Sequence, residues 1–238
     1  MKHLDLFSGI GGFALAARRV GWETVGFCEI DPFCQKVLAK HWPGVPIHDD
    51  VTNYKPEKNV DLATAGFPCQ DVSLAGDAAG LSGDRSGLFW YILRTLRMVG
   101  RPKLLLENVA ALLGRGMGTV LGALAQIGYD AEWHCIPASY VGARQLRDRI
   151  WIMADPQCDG IQGRPVIASV WGKKSREEQL AGLVQPCAWP TVSESRNRGA
   201  GDGIPNRIHR NKALGNAIVP QVAEVIFRAI QEADNEMR

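Results

Sequence analysis

Long apolar segments, closely paired cysteines and a strong charge of one sign are all missing from this sequence. None of its hydrophobic runs approaches the roughly 18 residues that a membrane-spanning helix requires, which argues against an integral membrane protein. Its six cysteines include no C-x-x-C pair, so we expect free thiols and neither a disulfide framework nor a metal site. Asp5 and a glycine cluster stand where a signal peptide would have its apolar core, and this predicts a cytoplasmic protein.

The composition is typical of a globular protein with one large domain. Hydrophobic residues make up 46% of the 238 residues and charged residues 22%, which is enough for a sizeable core and excludes a disordered chain. The net charge of +2 does not by itself indicate nucleic-acid binding. Residues 196–212 are strongly basic, with Asp202 as their single acid, and this window is either a solvated loop or a contact for phosphates. Its basic residues are Arg196, Arg198, Arg207, Arg210 and Lys212.

Short β-rich runs alternate with helical periodicity through residues 1–154, which is the rhythm of a parallel sheet with crossover helices. Segments 129–136 and 149–154 have no helix-length segment between them, so we expect an antiparallel pair at one end of the sheet. The periodicity is lost after Ala154, and it returns with an amphipathic helix over 219–230. The pattern predicts an α/β fold whose last segment packs back on the first domain.

A glycine-rich turn follows the first predicted strand and opens a helix. Gly9, Gly11 and Gly12 form it, and Glu29 ends the next predicted strand at the spacing of a nucleotide-cofactor fingerprint. Glycine lets the backbone approach a ligand closely, and an acid at the second strand tip can accept hydrogen bonds from ribose hydroxyls. The same layout serves NAD and S-adenosylmethionine, and a purely structural glycine turn is the third reading.

Three further features lie at predicted strand ends. Cys69 follows the apolar run VDLATA in Gly66-Phe67-Pro68-Cys69-Gln70, and Glu107 ends the run KLLLENV, where burial would raise its pKa. Arg147 and Arg149 alternate, with Gln145, along the entry to another strand, so period two places them on one face. Each feature also has a purely structural interpretation. Cys69 could be a buried thiol, Glu107 could cap the turn after its strand, and the two arginines could form a salt-bridged sheet edge.

Taken together, these segments resemble the C5-cytosine DNA methyltransferases. The resemblance covers roughly residues 3–154 and 206–226 and lies in DLFSGIGGF, CEID, GFPCQDVS, ENV, QLRDRIWIMA and ALGNAIVP, in the family's order. It implies a Rossmann-like S-adenosylmethionine-dependent methyltransferase fold with a mixed sheet and a small recognition region. The implied domains are a catalytic and cofactor-binding domain over 1–154, a target-recognition region over 155–205 and a return segment over 206–238. The implied activity is methyl transfer from S-adenosylmethionine to cytosine C5 in double-stranded DNA, with base flipping.

The resemblance also implies a role for each matching residue. Cys69 matches the family's nucleophile, Glu107 the acid that protonates cytosine N3, and Arg147 and Arg149 the arginines near the flipped base. The S-adenosylmethionine pocket is expected to contain Phe7, Ser8, Gly9, Gly11 and Gly12, with Glu29 on the ribose, Asp50 on the adenine amino group, Asp49 as a neighbouring alternative to Asp50, and Asn216 beside the cofactor.

The chemistry explains why these residue types are needed. Cytosine C5 is a poor nucleophile, and thiolate addition at C6 turns the ring into an enamine that can attack a methyl group. Negative charge then builds on N3 and O2, where an acid and a guanidinium neutralise it. The base must leave the duplex stack to reach such a pocket, and the loop after Cys69 is expected to hold the opened helix.

Other readings remain open at this point. The first is a tRNA cytosine-5 methyltransferase, which would keep the same catalytic residues. The second is an NAD-dependent oxidoreductase, which would use the glycine turn. The third is a nucleic-acid-binding protein that has lost its catalytic activity. Residues 155–205 are short for a recognition region, which predicts recognition that is short, degenerate or helped by a partner. We expect a monomer without a membrane contact, and a cognate restriction endonuclease is a further expected partner.

Overall fold

The computed structural model describes residues 1–56, 59–68, 87–114, 116–143, 147–156, 166 and 207–236. The strands are β1 (Lys2–Leu6), β2 (Glu23–Cys28), β3 (Ile47–His48), β4 (Leu62–Ala65), β5 (Lys103–Val109), β6 (Tyr129–Pro137) and β7 (Asp148–Pro156). The α-helices are α1 (Gly12–Arg19), α2 (Pro32–His41), α3 (Leu88–Met98), α4 (Met117–Gln126), α5 (Arg207–Asn216) and α6 (Pro220–Glu236), with 3-10 turns at Ala110–Gly114 and Ala138–Val141.

The seven strands form one mixed sheet in the order β3-β2-β1-β4-β5-β7-β6. Strands β1 to β5 are parallel, and β7 runs antiparallel to both β5 and β6. The predicted antiparallel pair at one end of the sheet is therefore confirmed. The sequence pattern missed β3, because a strand of two residues is too short for period two to be visible.

Helices cover both faces of the sheet. On one face α1 and α6 pack over Leu62 and Leu105, with Trp22 stacked on Phe227 at a centroid distance of 4.6 Å. The opposite face carries the buried sides of α3 and α4. The seam between β1 and β4 lies between these two layers, so the ends of these strands are held from above and below.

The stretch Lys212–Glu236 runs through the end of α5 and all of α6, and by length and composition alone it could cross a membrane. Half of its most apolar window is buried within the fold. The buried side chains include Val222, Ile226 and Ile230, which pack in the same cluster as Leu62. This burial is the pattern of a core helix, which passes the same test.

A buried polar chain crosses the central strands and fixes the start of the glycine turn. Thr64 Oγ1 donates to Asp5 Oδ1 at 2.9 Å and lies 2.8 Å from His3 Nε2, so that nitrogen donates and Nδ1 accepts from Thr24. Burial lowers the pKa of His3 to about 3 and raises the pKa of Asp5 well above its usual value. His3 is therefore uncharged near neutral pH, and Ser8 Oγ donates to the Asp5 carbonyl at 2.6 Å.

Candidate active site

The carboxyl ends of the parallel strands surround a cavity of about 300 Å³. This is the edge at which open α/β sheets bind their ligands. Five residues that the resemblance assigns to the cofactor line it, namely Phe7, Gly9, Glu29, Asp50 and Asn216. The other lining residues are Cys28, Ile30, Asp31, Cys34, Asp49, Val51, Gly66, Pro68, Leu88, Lys212 and Ala213.

Glu29 closes the glycine turn by hydrogen bonding. Its Oε2 accepts from the Gly9 N–H at 2.6 Å, and its Oε1 accepts from the Asp31 N–H at 2.8 Å. A carboxylate has about four lone-pair sites, so two remain for hydroxyl donors of a ligand. Gly9 has a left-handed φ of 53° and no atom within 4 Å of the position a Cβ would take, which leaves room for a ligand. Its N–H, however, is already engaged and does not face a phosphate.

The charge of this cavity discriminates between the two cofactor classes. Four carboxylates line it, those of Glu29, Asp31, Asp49 and Asp50, whereas Lys212 is the single cation among its described lining residues. Lys212 Nζ is 3.8 Å from Asp31 Oδ2, which offsets part of its charge. A pyrophosphate would meet like charge here, because phosphate sites depend on free N–H groups and cations. A cationic ligand with hydroxyl groups, such as S-adenosylmethionine, fits this donor set.

Asp50 is presented by a loop that a guanidinium holds in place. Its Oδ1 accepts from the Thr52 N–H at 2.8 Å, and this bond lowers the pKa of Asp50. Arg94 of α3 donates to the carbonyls of Thr52, Val51 and Tyr54 at 2.6, 3.0 and 3.1 Å. Sequence reasoning missed Arg94, because only the fold brings α3 to this loop. Ile30, between Glu29 and Asp31, is 74% exposed and also lines the cavity, and the sequence pattern assigned it no role.

Three of the residues assigned to the cofactor do not line the cavity. Ser8 donates its hydroxyl to the Asp5 carbonyl, and an added Cβ on Gly11 would lie 2.6 Å from the Trp42 ring. On Gly12 it would lie 2.6 Å from Ile218 Cγ1. The second and third glycines of the turn are thus required by neighbouring side chains, while Gly9 alone of the three faces the cavity.

Replacing Gly12 with alanine should destabilise the fold by about 1–3 kcal/mol, since its methyl group would overlap Ile218 in a packed region. Chemical denaturation of the purified variant measures this. Gly118→Ala is the matched control, because Gly118 is exposed in α4 and no atom lies near its Cβ position. This substitution should raise the free energy of unfolding by about 0.5–1 kcal/mol. A Gly12 variant as stable as the parent would show that Ile218 moves aside freely.

A second group of polar residues lies beside this cavity, at the tips of β5 and β7. Glu107 is 7% exposed, and its Oε1 accepts from Arg149 Nε at 2.9 Å. Burial raises the pKa of Glu107 to about 7, although the nearby Arg149 and Arg147 act in the opposite direction. The Glu107 carboxyl therefore exchanges its proton near neutral pH, which is the property that a general acid needs.

Arg147 and Arg149 both lie close enough to Glu107 to lower its pKa, but their side chains contact different groups. Arg147 precedes β7 and has a left-handed φ of 33°, so the extended alternation does not reach it. Its Nη1 donates to the Gly215 carbonyl at 3.0 Å and its Nη2 to the Ala217 carbonyl at 2.6 Å. Arg149 instead turns to Glu107.

Asn108 fixes the strand tip that leads to Cys69. Its Nδ2 donates to the Phe67 carbonyl at 2.9 Å, and its Oδ1 accepts from the Val109 N–H at 2.8 Å. The next residue, Pro68, lines the cofactor cavity. Cys69 itself lies outside the described residues, as does Gln145. Cys69 is thus placed only by its position in the sequence, shortly after the strand end that Asn108 holds at Phe67.

Much of the predicted recognition region also falls outside the described residues. Within 155–205 the structure describes Asp155 and Pro156, which complete β7, and Val166. Arg196 and Arg198 lie outside the described residues. Of the five arginines and lysines in the basic window, Lys212 alone has a described side chain. Lys212 borders the cofactor cavity. The domain boundaries at 154 and 205 stay predictions.

The fold and the cavity place the protein among the Rossmann-like α/β methyltransferases. The family model described as C-5 cytosine-specific DNA methylase matches residues 1–185, and the chain belongs to this family. The family uses S-adenosylmethionine as its methyl donor.

Individual relatives agree with this assignment. Type II methyltransferase M2.BsuMI of Bacillus subtilis is 38% identical over 162 residues, which cover 65% of this chain and 42% of that protein. Type II methyltransferase M.HpaII of Haemophilus parainfluenzae is 29% identical over 235 residues, which cover 91% of this chain and 65% of that protein. The crystal structure of S. pombe Dnmt2 methyltransferase superposes with a TM-score of 0.58 at 21% identity, over 73% of this chain and 55% of that one. The matched segments thus cover about two fifths to two thirds of the length of these curated relatives.

Proposed function

We propose that the protein is a DNA (cytosine-5)-methyltransferase that uses S-adenosylmethionine and a covalent Cys69 adduct. The observation that carries the proposal is the meeting of two sites at one sheet edge. The Gly66–Pro68 tip, which leads to Cys69, borders the acid-lined cavity, and a Cβ added to Gly66 would lie 3.6 Å from Glu107 Oε2. A nucleophile entering from this tip would reach the same ligand as Glu107.

Each side chain has a defined part in the proposed reaction. S-adenosylmethionine, when bound, supplies an electrophilic methyl group. The Cys69 thiolate forms a bond to C6, and the electron pair displaced from the ring reaches N3, where Glu107 delivers its proton. Arg149 holds Glu107 by the 2.9 Å ion pair and places positive charge where O2 gains electron density. After methyl transfer, a solvent base takes the C5 proton, the freed electron pair re-forms the C5–C6 double bond and expels the Cys69 thiolate, and N3 returns its proton to Glu107.

The cavity residues bind and orient the methyl donor in this proposal. Glu29 offers its two remaining lone-pair sites to ribose hydroxyls, because its other two are held by Gly9 and Asp31. Asp50 accepts from the adenine amino group, and the acidic lining favours a sulfonium over a phosphate. The same lining speaks against an NAD-dependent oxidoreductase.

The substrate and partners are also proposals. The name Type II methyltransferase, carried by both curated relatives, supports double-stranded DNA as the substrate and a cognate restriction endonuclease as a partner. We propose that residues 155–205 choose the target sequence and that the basic window 196–212 contacts phosphates. We further propose that the enzyme acts as a monomer.

A methyl-transfer assay with labelled S-adenosylmethionine tests the function. Label is expected in double-stranded DNA and not in tRNA, and bisulfite sequencing should find it at C5 of cytosines within one sequence context. Heat-inactivated protein is the control for adventitious label. Transfer of label to tRNA alone would identify a tRNA cytosine-5 methyltransferase instead. Binding of NAD in place of S-adenosylmethionine would exclude both methyltransferase functions.

A further inference from the structure

Arg147 bridges two backbone carbonyls on either side of Asn216. The Nη1–Gly215 O distance is 3.0 Å and the Nη2–Ala217 O distance is 2.6 Å, so one guanidinium spans the turn between α5 and α6. Asn216 lies between these carbonyls and lines the cofactor cavity. In the sequence, Gly215 and Ala217 lie 68 and 70 positions after Arg147.

The backbone of Arg147 is itself held in place. Its carbonyl accepts from the Ala138 N–H at 3.3 Å, at the start of the 3-10 turn Ala138–Val141. That turn packs through Val141 into the core cluster that also contains Trp151. The left-handed φ of Arg147 is unfavourable for a residue with a side chain, and the surrounding contacts must maintain it. Arg147 is therefore a fixed support from which the guanidinium reaches the turn.

The other side of the same turn rests on the glycine loop. Ile218 fills the space beside Gly12, and its Cγ2 would be 3.9 Å from a Cβ on Gly66. Residues 215–218 are thus held between the carbonyl contacts of Arg147 and the two glycines. With both supports in place, the backbone on either side of Asn216 is held at the cavity wall.

We propose that Arg147 is a positioning residue of the cofactor cavity, which fixes Asn216, and that it does not contact the target base. This inference rests on the proposed function. A guanidinium presents its N–H groups in a rigid fork, so it satisfies both carbonyls at once, whereas an ammonium is a point donor on a flexible stem. Arg149, two residues on, keeps the role at the base because it pairs with Glu107.

The test measures cofactor binding and DNA binding separately by calorimetry, for Arg147→Lys, Arg147→Met and Arg149→Lys. S-adenosylmethionine affinity should fall about tenfold in Arg147→Lys and further in Arg147→Met, the scale of losing charge-assisted hydrogen bonds. DNA affinity without cofactor should stay within about twofold. Arg149→Lys should show the reverse pattern, and Arg97→Lys, at the exposed end of α3, is the matched control that should change neither.

A double-mutant cycle separates positioning from general stability. In an Asn216→Ala background, Arg147→Lys should cost little further cofactor affinity, because the side chain that it positions is gone. Fully additive losses would overturn the proposal, and so would a loss of DNA binding with intact cofactor binding. Wild-type protein that fails to bind S-adenosylmethionine would overturn the proposed function together with this inference, whereas wild-type binding with unaffected Arg147 variants would overturn this inference alone.

Discussion

Replacing Cys69 with serine should abolish methyl transfer and also the capture of DNA that contains 5-fluorocytosine. A thiolate adds readily to C6, while a serine hydroxyl is almost entirely protonated near neutral pH and is a far weaker nucleophile. Fluorine at C5 blocks the final elimination, so the wild-type protein should remain attached to the DNA after denaturation. A denaturing gel measures the attached fraction directly.

Cys135→Ser is the matched control for this experiment. Cys135 is an exposed free thiol in β6, on the far side of β7 from the site, so its replacement should leave the adduct intact. Cys69→Ser protein that still forms the adduct would assign the nucleophile to a different cysteine. Loss of the adduct in both variants would point instead to damage to the fold, which the thermal unfolding of each variant would reveal.

Glu107→Gln should lower kcat by about 10²–10⁴-fold, the usual contribution of a positioned general acid. Glutamine keeps the shape of the side chain and can still contact Arg149, but it cannot deliver a proton to N3. Single-turnover methyl transfer measures the chemical step without product release. A variant with unchanged kcat would show that protonation at N3 comes from another group.

The pH profile gives the same residue a second test. Because burial raises the pKa of Glu107 to about 7, its protonated fraction falls as pH rises through that value. The value of kcat/KM for the wild type should therefore decline on the alkaline side of about pH 7, and this decline should be absent in Glu107→Gln. A rate that instead rises through this range in the wild type, with the rise absent in Glu107→Gln, would identify Glu107 as a base rather than an acid.

The sequence predicted those parts of the molecule that depend on local pattern. The parallel strands, the antiparallel pair and the burial of Glu107 all follow from apolar runs and the positions at which they end. The left-handed φ of Arg147, which lies before the regular alternation of β7, could not be read from its residue type. Arg94 was missed because its three carbonyl partners come from a segment about 40 residues away.

Gly12 shows a different limit of sequence reasoning. The glycine fingerprint is visible in the sequence, yet the reason for this glycine is Ile218, more than 200 residues later in the chain. A motif can therefore be recognised correctly while the physical need behind one of its residues differs from the usual explanation.

The turn at residues 215–218 has a consequence for the order in which the protein matures. Ribosomes deliver the sheet and the glycine loop first, but one wall of the cofactor cavity comes from Lys212, Ala213 and Asn216. Gly12 and Arg147 wait with unfilled contacts until that stretch emerges. A nascent chain can thus contain every strand of the sheet and still lack one wall of the cavity until the segment through Ile218 has emerged.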